Sequence, residues 1–194
     1  AAVRLDLALL ALLGMVLMRS TVTSGISTFV PLYYTSYLHG SPAYAALLLT
    51  VYLAAGAAGT LLGGPLSDRY GSRTVMLYSI LPVGVLLYLF TIAGGLWSFV
   101  LLAAISVLLA ATFTSSLVMA QKMMPGNIGM ASGLTLGFSI GLGAMGVLVL
   151  GQMADISGLV WVFQLLAVLP VAGFILTLFV QEPDEMHDVV PAKE

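Results

Sequence analysis

Six long apolar stretches constrain this chain more than any other feature of its sequence. They run at about 7–32, 43–63, 74–94, 97–120, 128–150 and 159–180. Each is long enough to cross a bilayer as a helix, and none shows the short alternating pattern of a membrane β-barrel. Only 7% of the residues are charged, against about a quarter in a soluble domain. The sequence therefore predicts an all-α integral membrane protein with six transmembrane helices.

The positive charges predict how these helices are oriented. The N-terminus, the second and fourth connections and the C-terminal tail carry Arg4, Arg69, Arg73, Lys122 and Lys193. The first, third and fifth connections contain neither Lys nor Arg. Because basic loops stay in the cytoplasm, we expect a multi-pass plasma (inner) membrane protein with both termini cytoplasmic. The six-helix domain would cover 1–181, followed by an acidic cytoplasmic tail at 182–194.

Several classes of function are excluded by what the sequence lacks. The formal net charge is −2, so no basic surface exists for nucleic acid. Cysteine is absent, and no phosphate-binding loop or H-E-x-x-H zinc motif occurs. We therefore expect no enzyme activity, no metal and no cofactor, and an ion gradient as the energy source.

The chain repeats itself at an interval of 87 residues. Residues 64–71 and 151–158 both read G-x-x-x-D-x-x-G, and the shared pattern extends upstream over sixteen positions. One copy follows the second apolar run and the other follows the fifth, so the predicted topology places them on opposite membrane faces. This pattern predicts two inverted three-helix repeats, at about 7–94 and 97–180, as in secondary transporters.

The first copy of this motif is the most specific local pattern. Its functional residues are Gly64, Asp68, Arg69, Gly71 and Arg73. We expect a tight turn in which the aspartate caps the third helix, while the arginines pair with that carboxylate or with helix C-termini. A conformational latch is favoured here over a substrate site.

Arg19 is the one charge deep within an apolar run. A cation at that depth costs about 3 kcal/mol or more, so it needs compensation. Thr23 and Ser27 follow at helical spacing and extend a polar face. Arg19 either faces a cavity, where it binds an anionic substrate or a coupling carboxylate, or it is a structural arginine bonded to carbonyls. No acid lies within the six runs, so we expect the counter-charge to come from substrate, solvent or another polypeptide segment.

The fourth and fifth helices add two further patterns. The fourth carries Thr112, Ser116 and Gln121 in a polar cluster that either faces the same cavity or bonds back to helix carbonyls. The fifth carries a stripe of glycines at four-residue spacing, which predicts close packing against another helix. These stripe glycines are Gly129, Gly133, Gly137 and Gly141.

The latch motif resembles the cytoplasmic signature that joins the second and third helices of each half in the major facilitator superfamily. Ser72 stands where that signature usually has a basic residue. Residues 29–33 and 119–130, with the Gly-rich fifth helix, resemble the C-terminal half of fosmidomycin-resistance-type exporters. The resemblance implies twelve helices in two halves, a central cavity lined by the first and fourth helices here, and proton-coupled efflux of small drugs.

The leading hypothesis is thus one half of a secondary transporter that exports small drug-like or anionic molecules by alternating access. The expected partners are the lipid bilayer, a small-molecule substrate, and either a missing N-terminal six-helix half or a second copy of this chain. A six-helix channel is the main alternative, although no filter loop or arginine ladder is present. An isolated half that acts only as a scaffold is the third.

Overall fold

The computed structural model describes residues 2–180, with side chains from residue 7 onward. The side chain of Arg4 and the predicted acidic tail lie outside the described residues. Six helices make up the described chain: α1 (Ala2–Leu32), α2 (Pro42–Tyr70), α3 (Ser72–Ile92), α4 (Leu96–Met123), α5 (Ile128–Ser157) and α6 (Leu159–Leu178). All six are long and apolar enough to cross a membrane, which confirms the predicted fold class.

The helix ends differ from the ends of the apolar runs. A π-helical turn at Tyr33–Tyr37 extends α1 by more than one turn. The predicted turn at 64–73 is wrong, because α2 continues through it to Tyr70 and α3 begins at Ser72. Only Gly71 separates the two helices, just as only Gly158 separates α5 from α6. The helices of this bundle therefore extend beyond the apolar stretches, into the polar segments between them.

Helix packing follows the two-repeat pattern. The helix α4 packs along α2 and α3, and α1 packs along α5 and α6 in the same way. The helices α3 and α6 contact each other, as do α1 and α4. Exchanging α1 with α4, α2 with α5 and α3 with α6 leaves this set of contacts unchanged. An inverted repeat of two three-helix units produces this symmetry.

Side-chain bonds at the two ends of the bundle show that α1 and α2 run in opposite directions, with α4 parallel to α2. At one end, where α1 finishes and α4 begins, the Tyr34 hydroxyl bonds to the Ser98 hydroxyl at 2.8 Å. At the other end, Ser67 near the end of α2 bonds to Ser115 of α4 at 2.6 Å. We call these the tyrosine end and the serine end. The start of α5 lies at the serine end, where Ser132 accepts a hydrogen bond from Gln121 of α4, so the motif copies that end at Gly71 and Gly158 lie at opposite ends.

Two glycines matched by the repeat lie where neighbouring helices are in close contact. A Cβ added at Gly59 of α2 would come within 2.6 Å of the Val107 carbonyl oxygen in α4. A Cβ added at Gly146 of α5 would come within 2.5 Å of the Thr21 side chain in α1. These glycines are 87 residues apart, so the two copies use the same position to bring their helices together.

Candidate functional site

Arg19 lies in the middle of α1 with only 5% of its surface exposed. Its Nη2 donates a hydrogen bond of 3.0 Å to the Ser139 hydroxyl of α5. Its guanidinium carbon is 4.9 Å from the centre of the Phe113 ring of α4, in a cation–π contact. Its Nε has no hydrogen-bond partner. The side chain is held in place by neutral groups and keeps donor capacity for a further ligand.

A chamber of about 650 Å³ opens beside Arg19 between α1 and α5. Its walls combine hydroxyl groups with apolar side chains and contain no acidic residue. The hydroxyl-bearing residues are Ser20, Thr23, Ser24, Thr28 and Ser139. Because the one charged side chain on its wall is a cation, this larger chamber suits an anion or an anionic end of a molecule.

A smaller chamber of about 240 Å³ lies on the α2–α4 side of the same arginine. Arg19, Thr23 and Phe113 line both chambers, so the cation–π pair forms the boundary between them. Tyr52 of α2, only 4% exposed, also lines the smaller chamber. Arg19 is therefore accessible to a ligand from two sides.

The bond that holds Arg19 has a counterpart in the other repeat. A shift of 87 residues carries Arg19 onto Ser106 and carries Ser139 onto Tyr52. Arg19 of α1 donates to the Ser139 hydroxyl of α5, and Ser106 of α4 donates to the Tyr52 carbonyl oxygen of α2. Both repeats thus make a hydrogen bond between the same two helix positions, and only one of the two carries a charge.

The two chambers are related in the same way. The 87-residue shift carries lining residues of the larger chamber onto lining residues of the smaller one. The matched pairs are Arg19 with Ser106, Thr23 with Ala110, Ser139 with Tyr52, Ile140 with Leu53 and Val147 with Thr60. The chambers are therefore two copies of one interhelical space, made unequal by their side chains.

The structure brings together only some of the residues that were predicted to bind substrate. Arg19 and Thr23 line both chambers, whereas Ser27 lines neither, and its hydroxyl donates to the Thr23 carbonyl. Thr112 and Ser116 are fully buried and donate to carbonyls of their own helix. Gln121 donates to Ser132 at 2.9 Å and so ties α4 to α5. Thr112 and Ser116 therefore bond back to the carbonyls of their own helix, which is the alternative to facing the cavity, whereas Gln121 does neither.

Three residues of the site were missed by the sequence analysis. Ser139 is a single hydroxyl within the Gly-rich α5, and Phe113 and Tyr52 are aromatic residues among many apolar neighbours. The one available signal was the repeat itself. The 87-residue shift matches Arg19 with Ser106 and Ser139 with Tyr52, but the structure was needed to show that each pair of positions is bonded.

The residues of the predicted latch lie at the serine end, in an arrangement other than the expected one. Asp68 is exposed in the last turn of α2 and does not cap α3, because α2 runs past it and the cap position is Gly71. Arg73 donates to the Leu178 carbonyl at the end of α6, which is the predicted contact with a helix C-terminus. Arg69 is exposed and lies over the Tyr70 ring.

The backbone at the two motif glycines is the same in both copies. Gly71 has a φ of 83° and Gly158 a φ of 87°, a conformation that side-chain-bearing residues rarely adopt. Each amide donates to a carbonyl four residues earlier, Ser67 for Gly71 and Ala154 for Gly158. Gly64, in contrast, is inside α2 and has no neighbour within 4 Å of an added Cβ.

The stripe of glycines on α5 faces away from the bundle. Among the described residues, nothing lies within 4 Å of a Cβ added at any of these four positions. The glycines of α5 that do contact another helix of this chain are Gly143 and Gly146, which pack against α1. The predicted partner of the stripe is thus not a helix described here.

The described residues thus form an all-helical membrane bundle with a buried cation between two chambers. Residues 12–194 match the Major Facilitator Superfamily, and the chain belongs to this family of transporters. It is 42% identical over 159 residues to the fosmidomycin resistance protein of Escherichia coli (strain K12), an alignment that covers 80% of this chain and 38% of that protein. It is 39% identical over 153 residues to YfnC, an uncharacterized transporter of the same superfamily from Bacillus subtilis (strain 168), covering 79% and 37%. The chain thus spans less than two fifths of the length of these relatives.

Proposed function

We propose that this chain is the C-terminal six-helix half of a secondary transporter that exports small anionic or drug-like molecules by alternating access. The observation that carries this proposal is Arg19, a buried cation on the wall of two chambers with its Nε unbonded. A structural arginine would be expected to donate its hydrogen bonds to carbonyl groups. Arg19 instead donates to the Ser139 hydroxyl and packs over the Phe113 ring. The remaining donor capacity is best used by an anion.

The other half would lie against the face of the bundle that carries the α5 stripe. Each stripe glycine is open to its surroundings, and apolar side chains such as Phe138 and Met145 are exposed beside it. Small residues at four-residue spacing allow two helix backbones to approach closely. The length of the two relatives supports the existence of another half, since each is more than twice as long as the aligned region.

We further propose that proton movement drives export, with the proton-carrying acid outside this chain. The acids whose side chains the structure describes are Asp68 and Asp155, and both are exposed at helix ends. An acid in the other half, facing Arg19 across the chambers, would supply the missing counter-charge. The cytoplasmic location of both termini, proposed from the basic connections, places the serine end in the cytoplasm.

Flux in liposomes tests this proposal. Labelled fosmidomycin is a suitable probe because a 42% identical relative is named for resistance to it. We expect the complete protein to catalyse counterflow of the probe, and to accumulate it against its gradient when a pH gradient is imposed. A channel would equilibrate the probe without accumulation, and a scaffold would move none, so either result contradicts the proposal.

A further inference from the structure

A groove of about 930 Å³ lies between α3 and α6, away from the two chambers. Among the described residues, none from α3 or α6 lines either chamber beside Arg19. Both helices are long and apolar enough to cross a membrane, and groove-lining side chains such as Val85 and Val168 are more than half exposed. In a bilayer, these side chains meet either lipid or another membrane helix.

Small residues form the floor of this groove. A Cβ added at Gly84 of α3 would come within 2.5 Å of the Ala167 carbonyl oxygen in α6, so the two backbones are in close contact there. Both residues line the groove. The axes of closely packed helices are less than one helix diameter apart, so the furrow between them is too narrow for a third helix. The shape of the groove therefore suits a thin, flexible chain.

Two polar side chains line the groove toward the tyrosine end. Gln164 is in the second turn of α6 and Tyr88 is in the last turn but one of α3, so they lie at a similar depth. Both side chains are exposed, and neither the Gln164 amide nor the Tyr88 phenol has a hydrogen-bond partner among the described residues. An amide without a partner is costly within a membrane, so Gln164 calls for a ligand that accepts a hydrogen bond.

Exposed tryptophans mark the level of the lipid headgroups near these side chains. Trp161 in the first turn of α6 is 60% exposed, and Trp97 in the first turn of α4, at the same end of the bundle, is 69% exposed. Tryptophan is typical of the boundary between membrane and water. Gln164 follows Trp161 by three residues, so it lies on the same side of α6 and about one turn deeper. Ester groups join the lipid chains to the headgroup at about this depth.

We propose that the α3–α6 groove is a binding site for one phospholipid of the leaflet at the tyrosine end. The ester carbonyls of the lipid accept hydrogen bonds from the Gln164 amide and the Tyr88 phenol. One acyl chain lies along the apolar part of the groove, toward Tyr78. The site recognises the ester and the chain rather than the charge of the headgroup, because no charged residue lines the groove. It is independent of the anion site proposed at Arg19.

The pattern of the groove favours a lipid over a second copy of the chain. An exposed glutamine can also join two membrane helices by bonding to its counterpart. A helix of a second copy, however, would rest on the edges of the furrow and leave its floor at Gly84 unfilled. The polar groups are confined to one half of the groove, and Pro82, Val85 and Val168 are among the apolar residues that line the rest. A lipid has the same division into a polar end and a long apolar chain.

Two matched lipids test the proposal. Dipalmitoyl phosphatidylcholine and dihexadecyl phosphatidylcholine share one headgroup and one chain length, but only the first has ester carbonyls, since the second has ether links. Native mass spectrometry of the complete protein in detergent measures the affinity for the first bound molecule of each lipid. We expect the ester lipid to bind about threefold to tenfold more tightly, the effect of one hydrogen bond.

Four variants locate the site. Gln164→Leu should remove most of the preference for the ester lipid by removing the amide, and Tyr88→Phe should reduce it. Val168→Trp, at an exposed position of the groove, should weaken binding of both lipids by occupying the space of the chain. Ile175→Trp is the matched control, because Ile175 is exposed two turns further along the same side of α6 and does not line the groove.

Several results would overturn the proposal. The ester is not recognised if the wild type binds the two lipids equally, or if the preference survives in both Gln164→Leu and Tyr88→Phe. The lipid does not lie in the groove if Val168→Trp binds it as tightly as Ile175→Trp does. A lipid-free dimer that dissociates in Gln164→Leu would show that a second copy covers the groove instead. Each of these results leaves the anion site at Arg19 untouched, because the groove and the chambers share no residue.

Discussion

Arg19 and Ser139 join α1 to α5 at the two positions that Ser106 and Tyr52 occupy in the other repeat. In one copy the bond ends on a hydroxyl and leaves a guanidinium in an open chamber. In the other, a serine hydroxyl bonds to a carbonyl and no charge is present. The same helix–helix contact thus carries a buried charge in one repeat and is a neutral packing contact in the other.

Ser139→Ala should weaken anion binding, because it removes the hydroxyl that holds the Arg19 guanidinium toward the larger chamber. We expect KM for transport to rise about threefold to tenfold, the effect of one hydrogen bond to a charged group. Initial rates over a range of substrate concentrations measure it. Ser132→Ala is the control, since Ser132 is on the same helix and bonds to Gln121 instead. An unchanged KM in Ser139→Ala would count against this role.

Gly59→Ala and Gly146→Ala should each destabilise the bundle by about 1–3 kcal/mol, because the new methyl groups would overlap with the neighbouring helix. Gly151→Ala is the matched control, because Gly151 is on α5 outside the stripe and an added Cβ there meets nothing among the described residues. Thermal unfolding in detergent measures all three. Equal melting temperatures for the three variants would contradict the packing described here.

Gly71→Ala and Gly158→Ala should also destabilise the fold, because their backbone conformation is costly for alanine. The expected cost is about 1–3 kcal/mol at each site. Gly64 lies inside α2 without close neighbours, so Gly64→Ala should leave the melting temperature unchanged or raise it. A Gly64 variant as unstable as the other two would show that the positive φ angles are not the cause.

Arg73→Gln should lower the melting temperature more than Arg69→Gln. The Arg73 guanidinium bonds to the last turn of α6 at 3.0 Å and so connects α3 to α6. Arg69 is exposed and contacts the ring of its neighbour Tyr70, a surface interaction of small effect. Thermal unfolding of both variants in detergent measures the two melting temperatures. A lower melting temperature for Arg69→Gln than for Arg73→Gln would show that the Arg73 bond to α6 does not stabilise the fold.

The sequence predicted the six helices and their repeat because both depend on patterns that run along the chain. Hydropathy marks a helix wherever lipid is the solvent, and the repeated glycines mark where helices meet. The ends of the helices were predicted less well, since α2 continues through Pro65 and Asp68 on backbone hydrogen bonds that hydropathy does not register.

Of the residues that line the two chambers, the sequence predicted only Arg19 and Thr23. Arg19 is conspicuous because a buried cation is expensive, and Thr23 follows it at helical spacing. Ser139, Phe113 and Tyr52 reach the same space from three other helices, and their residue types are ordinary at such positions. Ser116 on α4 illustrates the opposite error, because a hydroxyl on a membrane helix is equally able to satisfy its own backbone.

The central claim is that Arg19 binds the anionic group of the transported molecule. Its most direct test is flux of labelled fosmidomycin into liposomes for the wild type, Arg19→Lys and Arg19→Gln, with thermal unfolding of each in detergent. We expect Arg19→Lys to retain part of the flux, because the charge stays while the planar fork is lost. Arg19→Gln should abolish flux yet unfold at the temperature of the wild type. Normal flux in folded Arg19→Gln would contradict the claim, and failure of that variant to fold would show Arg19 to be a structural residue.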